Sequence, residues 1–345
     1  MMRKRIDMRS DTVTRPTPAM RQAMAEAEVG DDVFGEDPTV NELQRRMTEL
    51  TGKEAALFVA SGTMSNQIAL NAHTQPGDEV ICEYGCHIFN YESGGPALLS
   101  GVQLHPLQGE RGVITAAQIE GVIRPADHHY PHTALVELEN THNRAGGAVF
   151  PLDEIKRIRA VADTHGLAMH LDGARLWNAA VAAGVALHEW CAPFDSISLC
   201  FSKGLGAPVG SVLVGSQSFI DRAHRYRKIY GGGMRQAGML AAGALYALEH
   251  HIERLADDHR RAGEWARFLI ELGAAVDLEA TQTNIVYADF SAWRRSAAQI
   301  CAALSEVGLS ALPVSSTRIR FVFHLEIDDQ DAEDAKLLIK KSLLK

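Results

Sequence analysis

The sequence predicts an α/β fold made of a large unit with a mostly parallel sheet and a smaller C-terminal α/β unit. From about residue 55, short apolar or β-branched runs alternate with helical patterns. Such alternation is typical of a parallel sheet that carries helices on both faces. After residue 272 the order changes to strand, helix, strands and helix. We therefore predict a large domain over residues 1–250 and a small domain over residues 251–345.

The large unit contains apolar runs that favour strands, with helical patterns between them. In chain order the runs are AALFVA, DEVICE, VQLHPL, TALVELE, LAMHLD and SISLCF. A helix is expected at 62–73, directly after the first run. The clearest helix covers 152–165, because its apolar residues share one stripe while its charged residues take the other face. Gly166 is expected to end it.

A long helical tract is expected at 216–272, between the large unit and the small one. The triplet GGG at 231–233 interrupts this tract, and many small residues follow it. In the small unit, TNIVYADF and TRIRFVFHLEI favour strands, SAAQICAALSEVG favours a helix, and a final helix begins at 331.

Charge, hydropathy and cysteine content exclude several classes of protein. The 345 residues carry 34 basic and 43 acidic side chains without a long basic run, so nucleic acid and anionic membranes are not expected as partners. No run of about 18 apolar residues predicts a membrane span. The five cysteines show no CxxC spacing and fit free thiols in a reducing compartment. We therefore expect a cytoplasmic protein that binds a small molecule.

Lys203 stands at the end of the apolar run SISLCF, within the segment CFSKGLGAPVG. An ammonium group at the end of a buried strand loses its hydration unless it is paired or chemically converted. Formation of a Schiff base is one such conversion. Asp172 closes the preceding run LAMHLD. Because one strand, helix and strand step separates the two residues, we expect both at the ends of neighbouring strands.

The ends of these runs supply the groups that pyridoxal phosphate needs. Ligands of open α/β sheets bind beyond the carboxyl ends of strands. This cofactor needs an amine for its aldehyde, a carboxylate for its pyridine nitrogen and backbone N–H groups for its phosphate. Lys203, Asp172 and the helix start at Gly62 and Thr63 offer these groups in that order. The sequence therefore indicates a pyridoxal phosphate site.

Three other kinds of site have weaker signals. The segment GLGAPVG partly resembles a dinucleotide fingerprint, but Pro208 interrupts it and the apolar run SVLVG follows where a helix should begin. The histidines of HHYPH and the segment CEYGCH lack zinc-site spacing, and we predict no metal. No GxSxG elbow occurs, so a serine hydrolase lacks its nucleophile.

Seven segments of the chain stand in an order and spacing that are typical of one known enzyme family. They are IDMRSDTVTRPTPAM, VGDDVFGEDPTVNELQ, ASGTMSNQIAL, LENTHN, HLDGARLWNA, SKGLGAPVGSVLVG and RKIYGGGMRQAG. Together they resemble the low-specificity L-threonine aldolases, which are fold-type I pyridoxal phosphate enzymes, from about residue 6 to residue 325. The resemblance implies a seven-stranded, mostly parallel sheet, an amino acid substrate and a homo-oligomer, expected to be a dimer of dimers. Phe34 stands where we expect a tyrosine in this family, so a hydroxyl contact is lost there.

The resemblance also implies which residues bind the cofactor. Lys203 would hold pyridoxal phosphate as a Schiff base, and Asp172 would pair with its pyridine nitrogen. His87 would stack on the ring. Gly62 and Thr63 would bind the phosphate.

Further cationic residues have roles by the same resemblance. Lys228 and Arg235 would reach toward the phosphate, from this chain or from a neighbouring subunit. Arg175 would contact the phenolic oxygen of the cofactor or the carboxylate of the substrate. Ser10 and Arg320 resemble the family's grip on that carboxylate, for which a guanidinium suits better than an ammonium.

The implied reaction is cleavage of L-threonine, L-allo-threonine or a related β-hydroxy-α-amino acid to glycine and an aldehyde. The base that takes the β-hydroxyl proton would be His87, His129 or a bound water. Within the same fold, a β-eliminating lyase, a serine hydroxymethyltransferase or an aminotransferase would use the same lysine, aspartate and phosphate site. Outside it, the rival is a nicotinamide-dependent oxidoreductase on a similar sheet.

Overall fold

The computed structural model describes residues 5–343, without the side chain of Leu343, and contains strands that form one large and one smaller sheet and a two-stranded ladder. In chain order the strands are β1 (Ile6–Asp7), β2 (Ala55–Val59), β3 (Glu79–Glu83), β4 (Gln103–Leu107), β5 (Thr133–Glu139), β6 (Ala168–Gly173), β7 (Ser196–Cys200), β8 (Ser211–Gly215), β9 (Ala275–Val276), β10 (Ile285–Asp289), β11 (Leu309–Ser310), β12 (Leu312–Pro313) and β13 (Arg318–Val322).

Helices cover both faces of the large sheet and pack on the smaller one. In chain order they are α1 (Pro18–Ala25), α2 (Pro38–Thr51), α3 (Gly62–His73), α4 (His87–Asn90), α5 (Ala116–Glu120), α6 (Leu152–His165), α7 (Leu176–Ala183), α8 (Leu187–Cys191), α9 (Gln217–Ile229), α10 (Gly238–His250), α11 (Leu255–Glu271), α12 (Ala297–Glu306) and α13 (Asp329–Leu343).

The large sheet confirms the predicted seven-stranded, mostly parallel architecture. Its strand order is β2-β8-β7-β6-β5-β3-β4, and β8 is antiparallel to both of its neighbours. The other neighbouring pairs, from β7 to β4, are parallel. Every residue of β3, β5, β7 and β8 is buried, as expected for a sheet with helices on both faces.

The register of the sheet brings the predicted chemical groups to one edge. Asp172 of β6 pairs in register with Ser198 of β7, and Lys203 follows the end of β7 by three residues. Because β6 and β7 are parallel, their carboxyl ends meet at the same edge of the sheet. The expected neighbourhood of Asp172 and Lys203 therefore follows from the topology alone.

The C-terminal unit has its own sheet and core. Its antiparallel sheet has the order β12-β13-β10-β9. Trp265 of α11 packs edge-on against Phe321 and Phe323 in this core. Ile6 and Met8 lie in the same core, because β1 pairs in parallel with β11. The domain division at residue 250 stays a prediction, and it places these two residues with the large unit rather than with the core they join.

Several elements differ from the sequence expectation. The tract 216–272 divides into α9, α10 and α11, with breaks at 230–237 and at 251–254. The first break contains the GGG triplet, and Gly231 there has a φ of 77°, a left-handed conformation that glycine adopts without strain. Helices α1 and α2 were not predicted, although both have proline in the first turn and a Thr or Asp cap.

Two further observations concern helix hydropathy and the cysteines. None of the helices in the described part of the chain is both long enough and apolar enough to cross a membrane. All five cysteines lie within the described residues, and all are buried free thiols.

Candidate active site

Six of the eleven predicted site residues meet in a cavity of about 240 Å³ at the carboxyl edge of the large sheet. Lys203 and Asp172 both line it. The remaining lining residues come from the N-terminal segment, the start of α3, α4 and the loops after β5, β6 and β7: Thr12, Ser61, Gly62, Thr63, Asn66, His87, Glu139, Asn143, Ala174, Arg175 and Ser202. Six of the predicted site residues therefore share one concave site.

Lys203 is held in a tight turn after β7. Its carbonyl oxygen accepts hydrogen bonds from the Gly206 N–H and the Thr14 hydroxyl, both at 2.9 Å. Its Nζ lies 3.4 Å from the Cys200 sulfur. The backbone is thus fixed while the amine faces a weak acceptor, which leaves the amine available for a stronger partner in the cavity.

Asp172 is a buried carboxylate with donors on both oxygens. Its Oδ1 accepts a hydrogen bond from the Ala174 N–H at 3.0 Å, and its Oδ2 accepts one from the Asn66 amide at 2.8 Å. The side chain is almost completely buried, yet it lines the cavity. A buried carboxylate with room beside it suits a cationic ring nitrogen.

The start of α3 offers the expected cradle for an anion. Ser61 caps the helix by accepting a hydrogen bond from the Met64 N–H at 3.2 Å. Gly62 and Thr63 are the first two residues of α3, so their N–H groups lie at the positive end of the helix dipole. A Cβ on Gly62 would lie 2.7 Å from the Cys200 sulfur. Glycine is therefore required here by the close approach of β7, in addition to any ligand.

His87 begins α4 and is anchored at its backbone and its ring. Its N–H donates to Glu139 Oε2 and its Nδ1 lies at hydrogen-bond distance from Glu92 Oε1, each at 2.8 Å. Burial alone would lower the pKa of His87, but the hydrogen bond with Glu92 and the charges of Asp172, Glu92 and Glu139 raise it above its ordinary value. Since Nδ1 is held by Glu92, Nε2 is the nitrogen that remains for proton transfer.

Arg175 forms a buried, two-pronged ion pair that the sequence analysis did not anticipate. Its Nε donates to Asp11 Oδ2 at 2.7 Å and its Nη2 donates to Asp11 Oδ1 at 2.6 Å. Burial opposes ionisation of Asp11, but the Arg175 charge and hydrogen bonds hold the pKa of this carboxyl well below its usual range. Arg175 is therefore fixed by the N-terminal segment while it lines the cavity.

Ser10 and Arg320 lie beside the cavity rather than in its wall. The Ser10 hydroxyl caps a short 3-10 helix by accepting hydrogen bonds from Thr12, which lines the cavity. Arg320 donates to Asn143 Oδ1 and to the Arg9 carbonyl oxygen, both at 2.9 Å. Its Nε is buried and has no hydrogen-bond partner among residues 5–343. This donor is available for an anion next to Asn143.

Three predicted residues are not brought to the cavity by the fold of one chain. His129 is exposed in the loop before β5, at the opposite edge of the sheet, where its Nδ1 lies 2.6 Å from Asp127. Lys228 is exposed at the end of α9, and Arg235 is exposed and pairs with Asp31 at 3.2 Å. Their roles at the site stay predictions. The same residues of a second copy of the chain would have to supply any contact with this cavity.

The loop that holds His129 also contains a group of potential metal ligands. Ligand atoms of Asp127, His128 and His129 lie within 4.8 Å of one another. A second group with the same spacing lies at the cavity and consists of His87, Glu92 and Asp172. The expectation of no metal stays a prediction.

The sequence analysis missed several residues that organise the site. Asn66 stands one turn after the quoted Gly62 and Thr63, so the helical period of α3 could have placed it on the same face. Glu139 is the last residue of β5, in the segment LEN, and was not predicted as a site residue. Asp11 carries no signal in the sequence, because its partner Arg175 is far away along the chain. Glu92 follows its partner His87 by only five residues, but no motif marks the pair.

The geometry fits pyridoxal phosphate. An amine, a buried carboxylate with donors behind it and a helix start line one cavity at the carboxyl edge of a seven-stranded sheet. This combination defines a pyridoxal-phosphate-dependent enzyme of fold type I.

Comparison with known proteins places the chain within this class. The chain belongs to the beta-eliminating lyase family, whose model matches residues 7–291. It is 44% identical to the low specificity L-threonine aldolase of Escherichia coli K12, over 96% of this chain and 97% of that protein. It is 43% identical to low-specificity L-threonine aldolase 1 of Arabidopsis thaliana, over 100% of this chain and 98% of that protein. The resemblance seen in the sequence is thereby confirmed.

Solved structures show the same fold. A threonine aldolase from Leishmania major superposes with a TM-score of 0.83 at 19% identity, over 97% of this chain and 99% of that chain. A double mutant of aspartate aminotransferase from Thermus thermophilus gives a TM-score of 0.74 at 14% identity, over 99% of this chain and 92% of that chain.

Proposed function

We propose that this protein is a pyridoxal-phosphate-dependent aldolase that cleaves L-threonine, L-allo-threonine and related β-hydroxy-α-amino acids to glycine and an aldehyde. The observation that carries the proposal is the shared cavity of Lys203 and Asp172. Sequence identity of 43–44% to low-specificity L-threonine aldolases over nearly the whole chain supports the substrate class.

The residues of the chain divide the work of binding and orientation. Lys203 would hold the cofactor through its aldehyde, Asp172 would accept a hydrogen bond from the ring nitrogen, and the N–H groups of Gly62 and Thr63 would bind the phosphate. When bound, pyridoxal phosphate supplies an electron sink for the pair released as the Cα–Cβ bond breaks.

The proton transfers and the substrate carboxylate are assigned to other groups. His87 would take the β-hydroxyl proton as the aldehyde leaves, and this proton would return to Cα from His87 or through solvent water, so that glycine is released. The buried Nε of Arg320 and the nearby Ser10 bind the carboxylate, together with Arg175. A bound water or His129 are the alternatives to His87 as base.

A second candidate activity is β-elimination, which the description of the matching family favours. Elimination from L-threonine breaks the Cβ–O bond and yields a 2-oxo acid and ammonia, whereas aldol cleavage breaks the Cα–Cβ bond. The products therefore decide between the two reactions.

We propose further that the protein works in the cytoplasm as a homo-oligomer, a dimer of dimers. The exposed Lys228 and Arg235 stand close in sequence to Ile229 and Met239, which are large apolar residues that one chain leaves exposed. A second copy that covers such residues would support a role of these cations at a neighbouring phosphate.

The purified protein is expected to be yellow with pyridoxal phosphate and to release an aldehyde from L-threonine, L-allo-threonine and phenylserine. Side-by-side assays of aldehyde, glycine, 2-oxo acid and ammonia measure which bond breaks. Ammonia and 2-oxo acid in place of glycine would favour elimination. A colourless protein whose activity requires NAD would overturn the proposal.

The rate of cleavage is expected to rise with pH as His87 loses its proton, with a midpoint above the ordinary histidine value of 6.5. Glu92→Gln removes a charge that raises this pKa, so the midpoint should move to lower pH. The measurement is kcat/KM between pH 5 and 9 for the wild type, Glu92→Gln and the exposed control Glu271→Gln. An unmoved midpoint in Glu92→Gln would show that His87 is not the titrating base.

A further inference from the structure

A line of polar side chains extends from Asp172 away from the cavity, beneath α3. Asn66 Nδ2 lies 2.8 Å from Asp172 Oδ2, and Asn66 Oδ1 lies 3.2 Å from His170 Nε2. His170 Nδ1 and His73 Nε2 each lie 2.8 Å from the Ser196 hydroxyl. Asn66, His170, Ser196 and His73, from α3, β6 and β7, thus form one connected hydrogen-bond network. The network ends on the carboxylate of Asp172, the proposed partner of the cofactor's ring nitrogen.

The direction of every hydrogen bond in this chain follows from its first member. Asn66 Nδ2 donates to two carboxylates, Asp172 and Glu92, so both of its protons are used. Its Oδ1 can only accept, and the donor must be His170 Nε2–H. In a neutral ring the other nitrogen of His170 is then an acceptor, and it accepts a hydrogen bond from the Ser196 hydroxyl. The Ser196 oxygen in turn accepts from His73 Nε2–H.

Burial keeps both histidines neutral, as this arrangement requires. His170 is completely buried, and burial lowers its pKa to about 4, although Asp172 acts in the opposite direction. Burial also lowers the pKa of His73, to about 3, with a further lowering from His170. A charged imidazole would donate from both nitrogens, so the hydrogen bonds could no longer all run in the same direction toward Asp172.

Asp172 needs such donors because other acids crowd it. Glu139 pairs with it in register on β5, and carboxylate oxygens of Glu92 and Asp172 lie within 4.8 Å of each other. Glu137, also on β5, has both oxygens buried without a hydrogen-bond partner among the described residues, and burial raises its pKa well above the usual range. The cationic or titratable groups that face the same region from other elements are His87, His170, Arg175 and Lys203.

We propose that Asn66, His170, Ser196 and His73 are positioning residues that hold Asp172 as a hydrogen-bond acceptor aimed at the ring nitrogen of the cofactor. The proposal rests on the cofactor assigned above. Each hydrogen bond in the network donates toward Asp172, so the orientation of its carboxylate is fixed. The ring nitrogen is then firmly protonated when the cofactor is bound.

The first test uses the protein without cofactor and does not depend on activity. Spectra of ¹⁵N-histidine-labelled protein should show His170 as a neutral ring protonated at Nε2 that does not titrate between pH 5.5 and 8. Assignment uses the His170→Gln variant. A charged His170, or a proton on Nδ1, would overturn the direction of the chain and hence the proposal, even if the enzyme is an aldolase.

The second test compares two substitutions of His170 in the loaded enzyme. His170→Leu removes the donor to Asn66, whereas the amide of glutamine in His170→Gln can replace Nε2–H. In the leucine variant we expect the Kd for pyridoxal phosphate to rise about tenfold. The pH midpoint of the bound cofactor's visible absorbance should rise by about half a unit, because a less firmly protonated ring makes the Lys203 nitrogen more basic.

His170→Gln should restore both quantities to within about twofold and a few tenths of a pH unit of the wild type. The matched control His324→Leu changes a buried histidine of the C-terminal unit, bonded to the Asp7 carbonyl, and should move neither quantity. If His170→Leu does not fold, Ser196→Ala removes one hydroxyl and should move both quantities in the same direction. An unchanged absorbance midpoint in a folded variant that still binds the cofactor would overturn the proposal.

Discussion

Replacement of Lys203 by alanine is expected to abolish aldehyde release, with kcat falling at least about a thousandfold. The amine lines the cavity beside Asp172, and no other lysine among the described residues lines it. The variant should still bind pyridoxal phosphate through Asp172 and the start of α3, but borohydride should no longer fix the cofactor to the chain. Acetaldehyde release from L-threonine and mass spectrometry after reduction measure the two effects.

The matched control for this experiment is Lys156→Ala on the exposed face of α6, which should behave as the wild type. Lys203→Arg adds a second comparison, because it keeps the charge and cannot form the covalent link. Full activity in either Lys203 variant would reject the proposed site.

Replacement of Arg175 by alanine is expected to lower the free energy of unfolding by about 3–5 kcal/mol, because it leaves the Asp11 carboxylate buried without its partner. Asn284 also donates to Asp11, at 3.2 Å, and cannot neutralise the charge. Urea unfolding of the cofactor-free protein measures the change. The control Arg9→Ala breaks a largely exposed pair with Asp7 and should cost about 0–1 kcal/mol. Equal effects of the two substitutions would contradict the buried pairing.

The same pair predicts a pH dependence of stability. The pKa of Asp11 is lower in the folded state than in the unfolded state. The ionised carboxylate therefore contributes its full share of stability above the unfolded pKa of about 3.9, and this share is lost as pH falls through the lower folded pKa. Acid unfolding of the wild type should therefore be steep below about pH 4. In the double variant Asp11→Asn, Arg175→Ala, this part of the fall in the free energy of unfolding with decreasing pH should disappear.

Local sequence was enough for six of the seven strands of the large sheet and for its central chemistry, whereas the seventh strand, β8, was implied only by the family resemblance. The strands are apolar runs bounded by turns, and a parallel sheet places the ends of consecutive runs at one edge, so Asp172 and Lys203 could be paired before the structure was known. The same reasoning placed Gly62 and Thr63, whereas the family resemblance placed His87 and Arg175; all four line the cavity.

Contacts between distant segments could not be predicted in this way. Asp11 meets Arg175, and His170 meets Asn66, across separations that no periodicity encodes. His129 was assigned by likeness of sequence alone, and topology then put its loop at the amino edge of β5. Lys228 and Arg235 were also assigned by likeness, and their exposure in one chain follows from the direction of α9 and the turn after it.

The parallel pairing of Ile6 with Leu309 bears on how the protein is made. A ribosome must synthesise most of the chain after Ile6 before the partner strand exists. Until then Ile6 and Met8 lack the apolar neighbours that cover them in the finished molecule. The large sheet is complete at Gly215 and can form during translation, whereas the C-terminal core closes only after the segment around Leu309 has been made and meets Ile6.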